Sequence, residues 1–385
     1  MRRRINLCDI FVMLWGIYYL QGILFSPGIL NQIVQLIMIV LGLYAMVHYI
    51  LRGTKSNLLN AVVVLVIMYS IYGVYIILYG DGLIMTSDTT YLKNSLNSLL
   101  PIFFFYNQTK LRNLEHNRIH IYTIFILVVT IARYYYNSQQ VMDERNADEI
   151  TNNIGYWFVF IIPFIYFFRQ RVLLQYFLLA VIVLYIFMGM KRGAIVVGCI
   201  SALIFLYSNI KDVSRSKKLV IITISFLILF GVIYYVELLL TTSDYFVSRV
   251  NDTISGNDSG RGILYYRIWT VITNEQDLFK ILFGHGANST VRFAGNFAHQ
   301  DWLETICNNG LIGGVILLNF FIAFGRSVCK SKKCLPSYLF HSFITLFFIC
   351  ISITLFSMSI QCFSICQSML IGHLECQLIQ NKANI

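Results

Sequence analysis

The chain has 385 residues, of which 57% are hydrophobic and only 12% charged, with a mean hydropathy of +0.69. A soluble domain carries about 25% charged residues, so this composition excludes a water-solvated surface over most of the chain and leaves lipid as the solvent. The net charge of +11 comes from short Lys/Arg clusters between apolar runs, which is the pattern of membrane topology and not of a nucleic-acid-binding face.

Read in chain order, this predicts an all-α integral membrane protein, a single polytopic domain over 1–385. Met1-Arg2-Arg3-Arg4 before an apolar run from Ile10 to Phe25 resembles a secretory signal. No small-x-small cleavage site follows, so the run is read as an uncleaved first span. A span needs about 20 apolar residues. The candidates are 9–25, 29–50, 58–79, 91–108, 119–136, 154–168, 172–189, 193–209, 219–240, 302–325, 337–357 and 360–379, which makes about 12 transmembrane helices, in a range of roughly 11–13. The fourth is interrupted by Lys93, Asn94, Asn97 and Pro101, and the last two almost touch.

With the N-terminus inside, the clusters Arg52/Lys55, Lys110/Arg112/Arg118, Arg169/Arg171, Lys211/Arg215/Lys217/Lys218 and Arg326/Lys330/Lys332/Lys333 all fall on the cytoplasmic side, as the positive-inside bias requires. The acidic segment 143–149 and a long polar loop, 241–300, fall on the other side. A connection this long is functional or disordered. Its stretch Ile263-Leu264-Tyr265-Tyr266-Arg267-Ile268-Trp269 has the character of an amphipathic interfacial helix. The loop from Thr241 to Ala298 holds no cysteine, so no disulfide staples it, and Cys362 and Cys366 lack the further ligands that a metal would need.

Three groups of residues could carry chemistry on the outer side. Lys191-Arg192-Gly193 places two cations against the positive-inside bias. They either snorkel to headgroups or form an anion site. Asp258-Ser259-Gly260-Arg261-Gly262 can start a helix capped by Asp258 or Ser259. Arg261 would then sit in the first turn, a poor place for a cation unless an anion binds there. Arg267 and Arg292 lie further along the same loop. Third, His299-Gln300-Asp301-Trp302-Leu303-Glu304 leads into the tenth span. A helix N-terminus there favours a neutral imidazole, which Asp301 or Glu304 would orient or oppose. Gly310, Gly313 and Gly314 offer a small face for close helix packing. There is no Walker loop, Gly-x-Ser-x-Gly elbow, paired-Cys metal pattern or Asp-x-Asp pair. Ionisable residues inside the spans are few (Arg133, Glu237 and Glu375, with His48, His341 and His373), which argues against a proton-coupled transporter.

Ser259-Gly260-Arg261, Trp269, Phe283-Gly284-His285-Gly286, His299-Gln300 and Gly310-Leu311-Ile312-Gly313 occur in that order. Together they resemble the O-antigen polymerase and O-antigen ligase superfamily of bacterial envelope glycosyltransferases, over residues 188–325. Lys191-Arg192-Gly193 takes the place of that family's Ser-Arg-Gly, with Lys for the small residue. The resemblance implies a metal- and cofactor-independent enzyme of the bacterial inner membrane, both termini cytoplasmic and the active site periplasmic. It would transfer an undecaprenyl-diphosphate-linked glycan to a sugar hydroxyl, as a polymerase of lipid-linked repeat units into O-antigen or capsular polysaccharide. A chain-length regulator is a possible partner in such a system. The alternatives are a ligase acting on lipid A core or protein and, from another class, a lipid-linked oligosaccharide flippase. By this resemblance His299 would be the general base, and Lys191, Arg192, Arg261, Arg267 and Arg292 the candidates for the diphosphate. Gln300, Asp301 and Glu304 would support them.

Overall fold

The computed structural model describes residues 6–24, 28–52, 56–79, 85–144, 152–212, 215–242, 246–248, 250–251, 255, 260–356 and 365–382. Among these, regular structure is helical, with no strand. The elements are α1 (Leu7–Tyr19), α2 (Ile29–Leu51), α3 (Asn57–Tyr79), α4 (Met85–Lys110), α5 (His116–Glu144), α6 (Gly155–Ile165, extended by a 3-10 turn to Phe168), α7 (Val172–Met188), α8 (Arg192–Asp212) and α9 (Arg215–Thr242). The loop contributes α10 (Arg261–Asn274), α11 (Leu278–Phe283) and α12 (Ser289–Ala294), and the chain continues with α13 (Asp301–Cys334), α14 (Ser337–Ile353) and α15 (Ile365–Lys382). Each of the twelve expected apolar segments falls on a helix. Five are long and apolar enough to cross a membrane by length and composition (Ile29–Leu51, Asn57–Leu78, His116–Gln140, Arg192–Ile210 and Asp301–Cys334), and Leu7–Tyr19, Gly155–Phe168, Val172–Met188, Ile233–Thr242 and Ser337–Ile353 are shorter apolar helices. The coarse expectation of an all-α membrane protein therefore holds. The acidic segment 145–149, Arg249, Asp258, Ser259 and Cys362 lie outside the described residues.

α4 and α15, the least apolar of the expected spans, are the most enclosed. Leu99 through Tyr106 of α4 and Ile365 through Cys376 of α15 are buried. Several of their polar side chains bond within the bundle. Ser368 Oγ donates to Ser98 O (2.6 Å), Asn107 Nδ2 to Ala45 O (2.9 Å), and Ser56 Oγ to the Glu375 carboxylate (2.7 Å), while Thr109 Oγ1 lies 3.1 Å from His373 Nδ1. A Cβ on Gly372 would stand 2.4 Å from Ile102 O, so a glycine is what lets the two backbones meet. These helices face protein and not lipid, which explains their weak hydropathy.

α13 is not the single span that was expected from 302 to 325. Gly310 has φ 68°, ψ −168°, a region essentially reserved for glycine, and the helix folds back on itself there. Trp302 and Phe321 bring their rings to 5.8 Å, and Thr305 Cγ2 lies 3.3 Å from where a Gly313 Cβ would be. Eight residues of straight helix would separate Thr305 and Gly313 by about 12 Å. A short arm (301–309) thus runs back along a long arm (311–334). The break frees the carbonyls of Cys307 and Asn308, and the loop fills them: His285 N donates to Cys307 O (2.9 Å) and Gly286 N to Asn308 O (3.0 Å). Gly284 and Gly310 meet backbone to backbone, since a Cβ on Gly310 would stand 2.3 Å from Leu282 O and one on Gly284 2.4 Å from Gly310 N.

The close packing expected at Gly310, Gly313 and Gly314 falls within α13 itself at Gly313 and Gly314, and against the loop at Gly310. Gly310 makes the turn, and the atoms nearest Gly313 and Gly314 belong to the short arm of their own helix. Gly310→Ala is expected to cost at least about 1–3 kcal/mol from the backbone alone, and to lower the melting temperature in detergent sharply. Gly314→Ala, whose Cβ would first meet the flexible Ile306 side chain at 3.3 Å, should melt close to the parent. Equal melting of the two variants would contradict the hairpin.

Candidate functional site

The hairpin sets the position of His299. The short arm starts at Asp301, whose amide donates to Thr354 O (2.9 Å) at the end of α14, and Trp302 Nε1 donates to Thr354 Oγ1 (3.0 Å). Just before His299, the amide of Ala298 donates to the Glu304 carboxylate. His299 itself has φ 53°, a left-handed conformation that a side-chain-bearing residue adopts only when its surroundings impose it. The tied residues on either side impose it here.

Glu304 is 2% exposed and is the knot of this region. Besides Ala298 N it accepts from Thr290 Oγ1 of α12 (2.6 Å) and from Asn308 Nδ2 (3.3 Å). Asn308 Oδ1 in turn accepts from Ser289 N (3.0 Å) and Ser289 Oγ (2.7 Å). Glu304 therefore supports His299 through the backbone of Ala298. Asp301, buried at 4%, exerts its charge on Tyr69 of α3. Gln300 occupies the N-cap of α13 without a side-chain hydrogen bond to the helix, and its carbonyl accepts from Glu304 N (3.0 Å).

The charges acting on the His299 ring are those of Arg261 and Lys191. Arg261 opens α10, in the first turn as expected. Gly260, with φ 78°, takes the cap position. α10 packs its Ile268 against Ala298, Leu303 and Cys307, with Leu264, Tyr265 and Ile272 alongside, and so carries Arg261 to the base of the short arm. Lys191 precedes α8 in a tight turn where Met190 has φ 48°. That turn is held by Asn152 N donating to Gly189 O (3.0 Å) and Tyr134 Oη to Met188 O (2.9 Å). Arg192 is the first residue of α8, half-buried beside Lys191.

The remaining cations fall elsewhere. Arg267 is exposed on α10 next to the buried Ile268. Arg292 donates from Nη2 to the carbonyls of His285 (3.2 Å) and Ala287 (3.0 Å), so it braces the loop that fills the helix break. His285 sits 3.7 Å from the Glu275 carboxylate as part of that same loop. The charges of Lys191 and Arg261 thus act on His299, Glu304 braces the residue before it, and Arg292 serves the loop backbone.

One neighbour was invisible in the sequence. Tyr156, at the start of α6, lies in the field of Arg261 and Tyr265, and its Oη would be 2.3 Å from a Gly193 Cβ, with Phe356 at 2.8 Å. Gly193 is therefore the residue that lets α8 start against this tyrosine. Tyr156 sits in an apolar run, and nothing in its spacing marks it.

Burial above all, and then the charges of Arg261 and Lys191, hold the His299 pKa below the usual 6.5. The ring is therefore neutral at neutral pH, a proton acceptor beside two cations. No protein-family model matches the chain, and no curated protein is detectably similar to it in sequence.

Two outcomes follow from this geometry. The pH dependence of His299 carbethoxylation, read as the difference from a His299→Gln variant, should show an apparent pKa below 6.5, and Lys191→Met should move it upward by removing a repelling charge. An unchanged midpoint would separate Lys191 from the site. Glu304→Ala leaves the Ala298 amide and its other donors without their acceptor, at about 1–3 kcal/mol for each unsatisfied buried group, and should destabilise the protein more than Gln300→Ala does in thermal melts.

Proposed function

We propose that this chain is a glycosyltransferase of bacterial envelope polysaccharide synthesis, a polymerase that joins lipid-linked repeat units on the outer face of the inner membrane. The observation that carries this reading is the convergence of Arg261 and Lys191 on a neutral His299, from three separated parts of the sequence. Transfer from an undecaprenyl-diphosphate donor needs two things: positive charge where the leaving diphosphate develops its negative charge, and a base of near-neutral pKa for the attacking hydroxyl. Lys191 and Arg261 supply the positive charge and His299 an uncharged imidazole, and the ordered motifs that resemble the O-antigen polymerase and ligase superfamily contain these residues.

In this reading, about twelve helices cross the bilayer by the length each needs, with both termini cytoplasmic by the distribution of Lys and Arg, and the loop that holds α10 to α12 is periplasmic. Arg261, Lys191 and Arg192 bind the diphosphate of the donor. His299 Nδ1 or Nε2 takes the proton of the acceptor hydroxyl as its oxygen attacks the anomeric carbon and the bond to the diphosphate breaks. Glu304 and the Thr354 carbonyl hold His299 in the conformation that presents the ring.

The test is a gel of surface glycan from a deletion strain complemented with variants. His299→Ala is expected to reduce polymer by the roughly 10²–10⁴-fold that a general base contributes, and Arg261→Ala to abolish long chains as well, with both proteins still inserted in the membrane. Arg267→Ala should leave the ladder near normal. Single repeat units on the acceptor mark a lost polymerase. Long polymer stranded on the lipid carrier would mark a ligase instead, and absence of all surface glycan a flippase. A normal ladder in His299→Ala would remove the histidine from the chemistry.

A further inference from the structure

The loop was expected to be polar, with its stretch 263–269 as an interfacial helix, but its middle element is apolar and bare. In α11, Leu278 (67% exposed), Phe279 (67%) and Phe283 (40%) face outward, and no residue of this helix is buried. α11 abuts the Gly310 turn through Leu282 and Gly284. Beyond that turn the long arm of α13 exposes Leu311, Val315, Leu318 and Ile322, one stripe at helical spacing. α11 thus lies beside the outer end of this stripe.

Three helix lengths give the height of α11 in the bilayer. The exposed stripe of the long arm runs from Leu311 to the first basic residue, Arg326, a rise of about 22 Å at 1.5 Å per residue, against a hydrocarbon thickness of about 30 Å. Leu311 therefore stands in the outer leaflet. On α3, Tyr72 Oη donates to Phe283 O, and Tyr72 lies about 22 Å above the helix start at Asn57. Around it Ile71, Tyr75 and Leu78 of α3 are exposed as well. Thirdly, Trp302, three residues after His299, pairs with Phe321, about 15 Å below Leu311 along the long arm, while Thr354 beside it lies about 25 Å above the start of α14.

We propose that α11 is a membrane foot: its Leu278, Phe279 and Phe283 are immersed in the phospholipid of the outer leaflet, and the loop docks on the bilayer instead of standing in the periplasm. Its charged rim suits that position. Lys280 Nζ lies 3.7 Å from the Glu275 carboxylate, which His285 approaches to the same distance, so the polar groups gather at one edge, where headgroups can reach them. Trp302 and Thr354 then place His299 below the level of α11. The inference rests on the membrane reading above but not on the transfer chemistry.

The test places a tryptophan at Phe279 and reads the fluorescence it adds over the parent, in vesicles of phosphatidylcholine and phosphatidylglycerol. Phe177→Trp, at a side chain 63% exposed on the apolar α7, serves as the reference for a lipid-facing position. The added Phe279→Trp signal is expected to be quenched by chain-brominated phospholipid, as that of Phe177→Trp is, and to be shielded from aqueous iodide. Quenching by iodide without quenching by brominated lipid, with Phe177→Trp behaving as lipid-facing, would overturn the foot alone. Iodide quenching at both positions would overturn the membrane reading itself.

Discussion

The carbonyls of Cys307 and Asn308 decide how this molecule is put together. A regular helix would pair them with its own amides four residues on. Gly310 turns the backbone away, and the loop supplies the amides of His285 and Gly286 in their place. Everything around the candidate site follows from that substitution. It sends the short arm back down beside the long arm, puts His299 at the level of Thr354, and lets Glu304 gather α12, Ala298 and Asn308 around one buried carboxylate.

The electrostatics are arranged with the same economy. Two cations, each at the beginning of a helix, flank a histidine that burial already keeps neutral. Cations are poorly placed at helix N-termini, where the backbone itself is positive. Such a concentration of positive potential around an uncharged base is costly for an isolated protein and becomes favourable when an anion arrives. The strained backbone of His299 belongs to the same picture, because the hydrogen bonds on both sides keep a conformation that the residue alone would not choose.

Much of the architecture was legible in the sequence, because hydropathy over 20 residues reports burial in lipid directly. Every expected apolar segment overlaps a helix among the described residues, although 302–325 is broken at Gly310, and α10 starts where a helix was expected, with Gly260 in the cap position that Asp258 or Ser259 was expected to take. The strength of individual segments was misleading for a physical reason: α4 and α15 look weak because their serines, asparagines and glutamate bond inside the bundle, where hydropathy cannot see partners. The hairpin was missed because a glycine near two others reads equally well as a packing face or as a turn. Asn308-Asn309 ahead of Gly310, two polar residues in an otherwise apolar stretch, was the available signal. At the site, Lys191 and Arg261 stood out as cations out of place and His299 as an imidazole at a helix start, and Glu304, expected as support, bonds the Ala298 amide beside it. Arg292 carried the same charge signal but serves the backbone of the loop, and Tyr156 carried no signal.

The pairing of Gly284 with Gly310 also constrains how the protein is made. The loop is synthesised before α13, and the two carbonyls at the break have no partner until the loop docks. An unpaired carbonyl within a bilayer costs several kcal/mol, so neither half of the hairpin is stable in lipid without the segment that precedes it. Insertion of α13 and closure of the loop are thus coupled, and His299 is held in its conformation only once the loop has closed.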